Sequence, residues 1–156
     1  MIKYAGYSIV MQEVPDEISL ALDITNCPNR CPGCHSPELQ KDFGQDLEAA
    51  LPALLKAYAG RISCVCFMGE GRDYTALVHC LQMVREAGLK TCLYSGHDQA
   101  PPIGLTLLDY LKLGPYIKEL GGLDSPRTNQ RMWRIHHLLN GLVPENITYK
   151  FQRKKV

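Results

Sequence analysis

Three cysteines within eight residues form the most constrained stretch of this sequence. They are Cys27, Cys31 and Cys34, in the spacing C-x3-C-x2-C. Pro28 and Pro32 stiffen the loop that carries them, because the proline ring fixes a backbone torsion angle. The preceding run, Ile18 to Ile24, has small and apolar residues at both alternating sets of positions, which predicts a strand buried on both faces. The sequence therefore predicts a thiol-rich loop at the carboxyl end of an inner strand.

Three thiolates on one short loop are suited to ligate three of the four irons of an iron–sulfur cube. A cubane ligated by protein alone uses four cysteines. Three leave one iron with an open coordination position, which a metal site needs in order to bind a substrate directly. The spacing thus predicts a [4Fe-4S] cluster with Cys27, Cys31 and Cys34 as its protein ligands.

Two other interpretations of the cysteine loop compete with the cluster. A structural zinc site needs a fourth ligand and usually takes two spaced pairs, whereas only His35 stands near this triplet. His35 itself is either close to the cluster or purely structural. A disulfide framework is disfavoured, because nothing else in the chain indicates secretion. A small zinc-stabilised interaction module remains as the non-enzymatic alternative.

Length and charge predict one domain, over residues 1–156, with a core of its own. The net charge of +1 gives no general attraction to nucleic acid or to an anionic membrane. No apolar run approaches the ~20 residues of a membrane span, and the first residues are not expected to open a signal peptide. The only basic cluster, Lys150 and residues 153–155, is expected to be a solvated end.

Four further cysteines lie inside apolar strand or helix patterns. They are Cys64, Cys66, Cys80 and Cys92. We expect them to pack as small hydrophobes, since unpaired cysteine is among the most buried residue types. So many unpaired thiols favour a reducing cytoplasm as the location of the protein.

Strands and helices alternate along the first hundred residues. Apolar residues at helical spacing from Leu47 to Tyr58 predict a helix that ends at Gly60. Because proline is tolerated only in the first turn, Pro52 leaves the first residue of this helix undetermined. The further predicted elements are a strand over 62–67, a helix that Asp73 caps and Gly88 ends, and strands over 91–94, 109–113 and 147–151. This order predicts an α/β fold, either a partial (β/α) barrel or an open, mostly parallel sheet. The chain is too short for the ~250 residues of eight βα units.

The cysteine spacing and the strand before it resemble the cluster loop of the radical S-adenosylmethionine (SAM) enzymes. The resemblance implies that the amino and carboxylate groups of SAM chelate the open iron. Residues 68–71 resemble the family's Gly-Gly-Glu-Pro segment for the SAM amino group, and Gly69 and Glu70 are the matching positions. A glycine lets the backbone approach a ligand, and a carboxylate can receive an ammonium group. Gly33 stands where many members meet the adenine, and Ser95 is a candidate contact for the SAM carboxylate.

Plainer interpretations of two of these residues stay open. Glu70 could be an exposed carboxylate of a turn, and Ser95 could be an ordinary turn serine.

Nearly the whole chain is similar to the activating proteins of anaerobic ribonucleoside-triphosphate reductases. The similarity includes the Cys-Pro-Gly-Cys-His form of the loop, the strand end at 93–96 and the segments 114–116 and 128–131. It departs from the family at 14–17, where Val-Pro-Asp-Glu replaces a frequent Gly-Pro-Gly-x-Arg stretch. The resemblance implies an oxidoreductase that cleaves SAM at the cluster and generates a glycyl radical on the large reductase subunit. It also implies an electron donor such as flavodoxin or ferredoxin.

Two other targets of the same chemistry stay open: a different glycyl-radical enzyme, of the pyruvate formate-lyase type, or a small molecule. Little chain remains after three βα units to build a lid, so one flank of the site is expected to stay open. A small-molecule enzyme generally encloses its ligand, so the openness favours a protein substrate. The segment Gly121 to Trp133 is expected near the opening, with Arg127, Asn129, Arg131 and Trp133 suited to contact another protein. An ordinary polar surface loop is the other interpretation of this segment.

Overall fold

The computed structural model describes residues 1–29 and 36–152, and these form one mixed sheet with two α-helices. The strands are β1 (Lys3–Val10), β2 (Ser19–Ile24), β3 (Gln45–Asp46), β4 (Cys64–Met68), β5 (Lys90–Tyr94), β6 (Tyr110–Leu113), β7 (Arg131–Leu138) and β8 (Gly141–Asn146). The helices are α1 (Leu47–Ala57) and α2 (Tyr74–Glu86), and short 3-10 helices cover Pro37–Gln40 and Thr148–Phe151.

The sheet is open and has the strand order β3-β1-β2-β4-β5-β6-β7-β8. Its four central strands, β2, β4, β5 and β6, run parallel to one another. Antiparallel strands extend this centre on both sides, β1 and β3 at one end and the hairpin β7–β8 at the other. The predicted open α/β sheet is confirmed, but the prediction that it is mostly parallel is wrong. Four of its seven strand pairs are antiparallel, because β1, β3 and the hairpin β7–β8 extend the parallel centre.

Both helices begin at an aspartate that accepts a backbone hydrogen bond. Asp46 accepts one from the Glu48 amide at 3.1 Å, and Asp73 accepts one from the Ala76 amide at 3.1 Å. These caps satisfy amide groups that have no partner within the first turn. The cap at Asp73 was predicted, as was the end of α2 near Gly88, whose φ of +79° suits glycine.

The two faces of the sheet carry separate apolar cores, because alternate strand residues point to opposite sides. Val65 and Phe67 of β4 pack in the core that contains the buried residues of α1 and α2. Cys64 and Cys66 belong to a second core on the other face. The second core also contains Cys92, Tyr110 and Met132.

The prediction that four cysteines serve as packing residues is confirmed. Cys64, Cys66, Cys80 and Cys92 are fully buried. Burial raises the pKa of each of Cys64, Cys80 and Cys92 above the ordinary thiol value, since a thiolate is poorly solvated in a core.

The predicted strand over 147–151 is wrong, because Thr148–Phe151 is a 3-10 helix. The Asn146 side chain accepts hydrogen bonds from the Thr148 amide at 3.0 Å and from its hydroxyl at 2.6 Å. Such side-chain bonds to a nearby backbone amide favour a turn over an extended ladder.

In the part of the chain that the structure describes, neither helix has the length and apolar character needed to cross a membrane.

Candidate functional site

A cleft of about 340 Å³ opens at the carboxyl ends of the parallel strands. This volume lies within the range of small-molecule sites, and this edge of a parallel sheet is where ligands bind. Cys27 and Gly69, two residues singled out in the sequence, both line the cleft. The fold therefore brings the start of the cysteine loop next to the end of β4.

One residue from each parallel strand contributes to a row across the cleft. The row consists of Asp23, Met68, Tyr94 and Lys112, which are successive register partners in β2, β4, β5 and β6. Each of them lines the cleft. Met68 and Tyr94 pack against the second core, so the row lies on the face away from the helices.

Opposite charges stand at the two ends of this row. Burial raises the pKa of Asp23, and the nearby Glu38 charge adds to the effect, because both disfavour the ionised carboxylate. At the far end the Lys112 ammonium donates a hydrogen bond to the Gly114 carbonyl at 3.1 Å and lies 5.5 Å from the centre of the Tyr94 ring. The Tyr94 hydroxyl is anchored on the Glu13 carbonyl. The cleft thus offers a carboxyl group and an ammonium group with two strands between them.

The start of the cysteine loop is held by backbone hydrogen bonds. The Asn26 amide donates to the Lys41 carbonyl at 2.9 Å, and the Cys27 amide donates to the Leu39 carbonyl at 3.1 Å. Asn26 has a φ of +59°, a left-handed conformation that asparagine tolerates better than most residues. These contacts fix Cys27 at the wall of the cleft.

Several residues singled out in the sequence lie outside the described residues. They are Cys31, Gly33, Cys34 and His35 in the loop and residues 153–155 in the basic tail. Among the residues that the structure does describe, no group of three histidines, cysteines or carboxylates is arranged to hold a metal ion. Ligation of a cluster by Cys27, Cys31 and Cys34 stays a prediction.

Glu70 is buried, which rules out the exposed turn carboxylate as its description. Only 2% of the residue is exposed. Its Oε1 atom accepts a hydrogen bond from the Tyr74 hydroxyl at 2.9 Å and also contacts Nδ1 of His97. Its Oε2 atom is buried and has no hydrogen-bond partner among the described residues. A buried carboxylate oxygen without a donor is costly, so this atom is suited to receive one from a ligand.

Ser95 is fully buried, directly after β5, and its hydroxyl is hydrogen-bonded within the loop that follows this strand. Its hydroxyl accepts a hydrogen bond from the His97 amide at 3.1 Å and lies 3.5 Å from His97 Nδ1. Its neighbours Tyr94 and Gly96 line the cleft. The predicted contact of Ser95 with a ligand carboxylate stays a prediction.

The segment 121–133 reaches the cleft in part. Gly122 and Gln130 are among the lining residues. The Asn129 amide group donates to the Pro115 carbonyl at 3.0 Å, which ties the segment to the loop after β6. Trp133 packs instead with the core on the helix side of the sheet.

Sequence reasoning missed Asp23, His97 and Lys112 as site residues. Asp23 and Lys112 are charged residues within strands that are otherwise small or apolar, and such a charge is unusual unless it faces a cleft or a partner. His97 stands two residues after Ser95, at a strand end where ligands bind. These signals were present in the sequence.

The described residues place a thiol and a buried carboxylate at neighbouring strand ends. Cys27 supplies a thiol at the cleft, and Glu70 supplies an unpaired carboxylate oxygen one residue beyond Gly69. Gly69 and Gly71 have φ values of +116° and +64°, so a side chain at either position would be strained.

A scan against family models and searches of curated proteins and of solved structures each found no match to this chain.

Proposed function

We propose that this chain is a radical-SAM activase, which cleaves SAM reductively at a [4Fe-4S] cluster and generates a glycyl radical on an anaerobic ribonucleoside-triphosphate reductase. The observation that carries the proposal is that Cys27 and Gly69 line one cleft at the carboxyl ends of the parallel strands. The triplet spacing and the 68–71 segment are separate motifs in the sequence. Their meeting at one cleft is what the resemblance requires.

The residues of this chain would divide the binding work between them. Cys27, Cys31 and Cys34 would hold the cluster, and Gly69 and Glu70 would receive the amino group of SAM. When bound, the cluster and SAM supply an electron transfer that splits SAM into methionine and a 5′-deoxyadenosyl radical. Gly33 and Ser95 remain candidates for contacts with the adenine and the carboxylate of SAM.

The open sheet supports a protein as the substrate. Antiparallel strands follow the parallel centre on both sides, so the four central strands form a partial barrel at most. A partner's glycine loop could enter a cleft that is not enclosed. The partner would be the large subunit of the reductase in a reducing cytoplasm, with flavodoxin or ferredoxin as the electron donor.

Anaerobic reconstitution with iron and sulfide is expected to give a brown protein that releases 5′-deoxyadenosine from SAM under dithionite. Cys27→Ala is expected to lose both the cluster and SAM cleavage, because the substitution removes one of the three thiolates proposed to ligate the cluster. Cys80→Ala is the matched control and should retain both, since Cys80 is buried on α2.

Iron, zinc and acid-labile sulfide contents decide between the proposal and its alternative. About one zinc per chain and no acid-labile sulfide, in protein purified without air, would identify a zinc-stabilised module. A well-reconstituted cluster that leaves SAM intact would falsify the enzymatic proposal.

A further inference from the structure

The two oxygens of the buried Glu70 carboxylate have different surroundings. Oε1 is contacted by two groups, the Tyr74 hydroxyl and the His97 ring, whereas Oε2 has none among the described residues. Either oxygen of a carboxylate can accept more than one hydrogen bond, so the unequal hydrogen bonding of Oε1 and Oε2 comes from their surroundings in this site. One oxygen is held in place, and the other is buried without a hydrogen-bond donor among the described residues.

Both groups at Oε1 act as donors. A carboxylate oxygen accepts hydrogen bonds, and His97 donates to it in the tautomer that carries the hydrogen on Nδ1. Burial and the Glu70 charge raise the pKa of Tyr74 to about 12, which keeps its hydroxyl protonated. Tyr74 lies in the first turn of α2 and His97 follows β5, so Glu70 is held from two elements.

We propose that His97 is a positioning residue, which orients the Glu70 carboxylate so that Oε2 receives the ammonium group of SAM. This inference rests on the proposed function and adds a residue that the sequence motif does not contain. His97 does not act on the ligand directly. It acts through Glu70, in partnership with Tyr74.

His97 lies outside the cleft, so a substitution there can be tested without changing a cleft-lining side chain. Its side chain is 42% exposed and lines a different cavity, together with Tyr74, Asp98 and Pro101. The charged and titratable groups that face it are Glu70, Tyr74 and Asp98, with the Ser95 hydroxyl also near. Its backbone carbonyl accepts from the Gly114 amide at 2.7 Å, a bond that a side-chain substitution keeps. A change at His97 therefore leaves the cleft-lining residues in place.

The test compares two ligands on the anaerobically reconstituted protein by equilibrium dialysis. S-adenosylhomocysteine carries the amino group but lacks the sulfonium that is cleaved, and its desamino analogue lacks the amino group as well. His97→Ala is expected to weaken binding of S-adenosylhomocysteine about 10-fold, the scale of a hydrogen bond to a charged group. Binding of the desamino analogue should change less than about 2-fold, because that ligand has no ammonium group for Glu70 to receive.

Two further variants act as rescue and control. His97→Asn keeps an N–H donor close to the position of Nδ1 and should stay within about 3-fold of the wild-type affinity for S-adenosylhomocysteine. Asp98→Ala removes a charge from the same cavity without touching Glu70, and both affinities should stay within about 2-fold. If His97→Ala does not fold, Tyr74→Phe removes the other donor and is expected to show the same selective loss.

Three outcomes would contradict the inference. Equal losses for both ligands, or a loss in His97→Asn as large as in His97→Ala, would make His97 a structural residue and leave the proposed function standing. Failure of the wild-type, cluster-loaded protein to bind S-adenosylhomocysteine at all would overturn the inference and the proposed function together.

Discussion

Cys80 on α2 and Cys27 at the cleft differ in how far solvent reaches them. Cys80 is fully buried, and burial raises its pKa to about 12. Cys27 is partly exposed and lines the cleft. A thiol must lose its proton to bind a metal, and the buried environment of Cys80 opposes that loss. Position in the fold, and not residue type, therefore selects the candidate ligand.

The raised pKa of Cys80 predicts a loss of stability in alkaline solution. Its pKa is above the ordinary value of 9.0, so the folded state favours the neutral thiol. The resulting stabilisation is complete below about pH 9 and is lost as the pH rises toward 12. The free energy of unfolding of the wild type should therefore fall more steeply above pH 9 than that of Cys80→Ala.

Urea unfolding at pH 8, 9 and 10 under a reducing agent measures this difference. The stability gap between the two proteins should narrow above pH 9 by at most about 1.4 kcal/mol per pH unit. A gap that stays constant over this range would mean that Cys80 ionises as readily in the fold as in the unfolded chain.

At the scale of the element, α1 contains a proline that the helix does not need. Pro52 lies in the interior of α1 and is exposed. Because proline has no backbone amide hydrogen, it cannot donate a hydrogen bond to the Glu48 carbonyl. Pro52→Ala is expected to raise the free energy of unfolding by about 1–3 kcal/mol, since proline is the poorest helix former. The shift in the midpoint of urea unfolding measures it.

Lys56→Ala provides the matched comparison, because Lys56 is another exposed residue of the same helix. Lysine and alanine differ little in helix propensity, so its effect should stay within about 0.5 kcal/mol. Equal stabilities of Pro52→Ala and the wild type would show that α1 accommodates the proline without cost.

Periodicity and capping residues predicted the central elements, and prediction failed where the apolar pattern was absent or a side-chain hydrogen bond overrode it. The apolar runs of the parallel strands and the caps of α2 are local signals, which a single sequence carries. The hairpin β7–β8 was missed although Asn140-Gly141 stands at its turn, because no apolar core pattern marks the exposed β8. Residues 147–151 alternate like a strand in the sequence, but the hydrogen bonds from Thr148 to the Asn146 side chain favour a turn there.

The whole molecule brings together parts of the site that no local pattern relates. Cys27 follows β2 and Gly69 follows β4, and the fold places both at one cleft. The row from Asp23 to Lys112 depends on strand register, which the sequence does not specify by itself. The contact of His97 with Glu70 likewise depends on how β4 and β5 end side by side.

Under the proposed function, the open cleft predicts that the radical is delivered to a protein. Co-expression with anaerobic reductase and other glycyl-radical candidates from the same genome should give a glycine-centred signal in electron spin resonance on one partner. Cys27→Ala in place of the wild type is the control and should give no signal. A signal on a pyruvate formate-lyase-type partner would correct the target, whereas efficient SAM turnover on a small molecule with no protein radical would refute a protein substrate.

The arrangement of the sheet also sets the order in which the chain can fold. The strands β7 and β8 are joined by two residues and pair with each other, and such hairpins form within microseconds. The parallel pairs join strands that lie far apart in the chain, so their formation must first overcome the entropy of closing long loops. Until then the thiols of β4 and β5 are uncovered. Refolding in air therefore gives oxygen access to cysteines that the finished sheet protects.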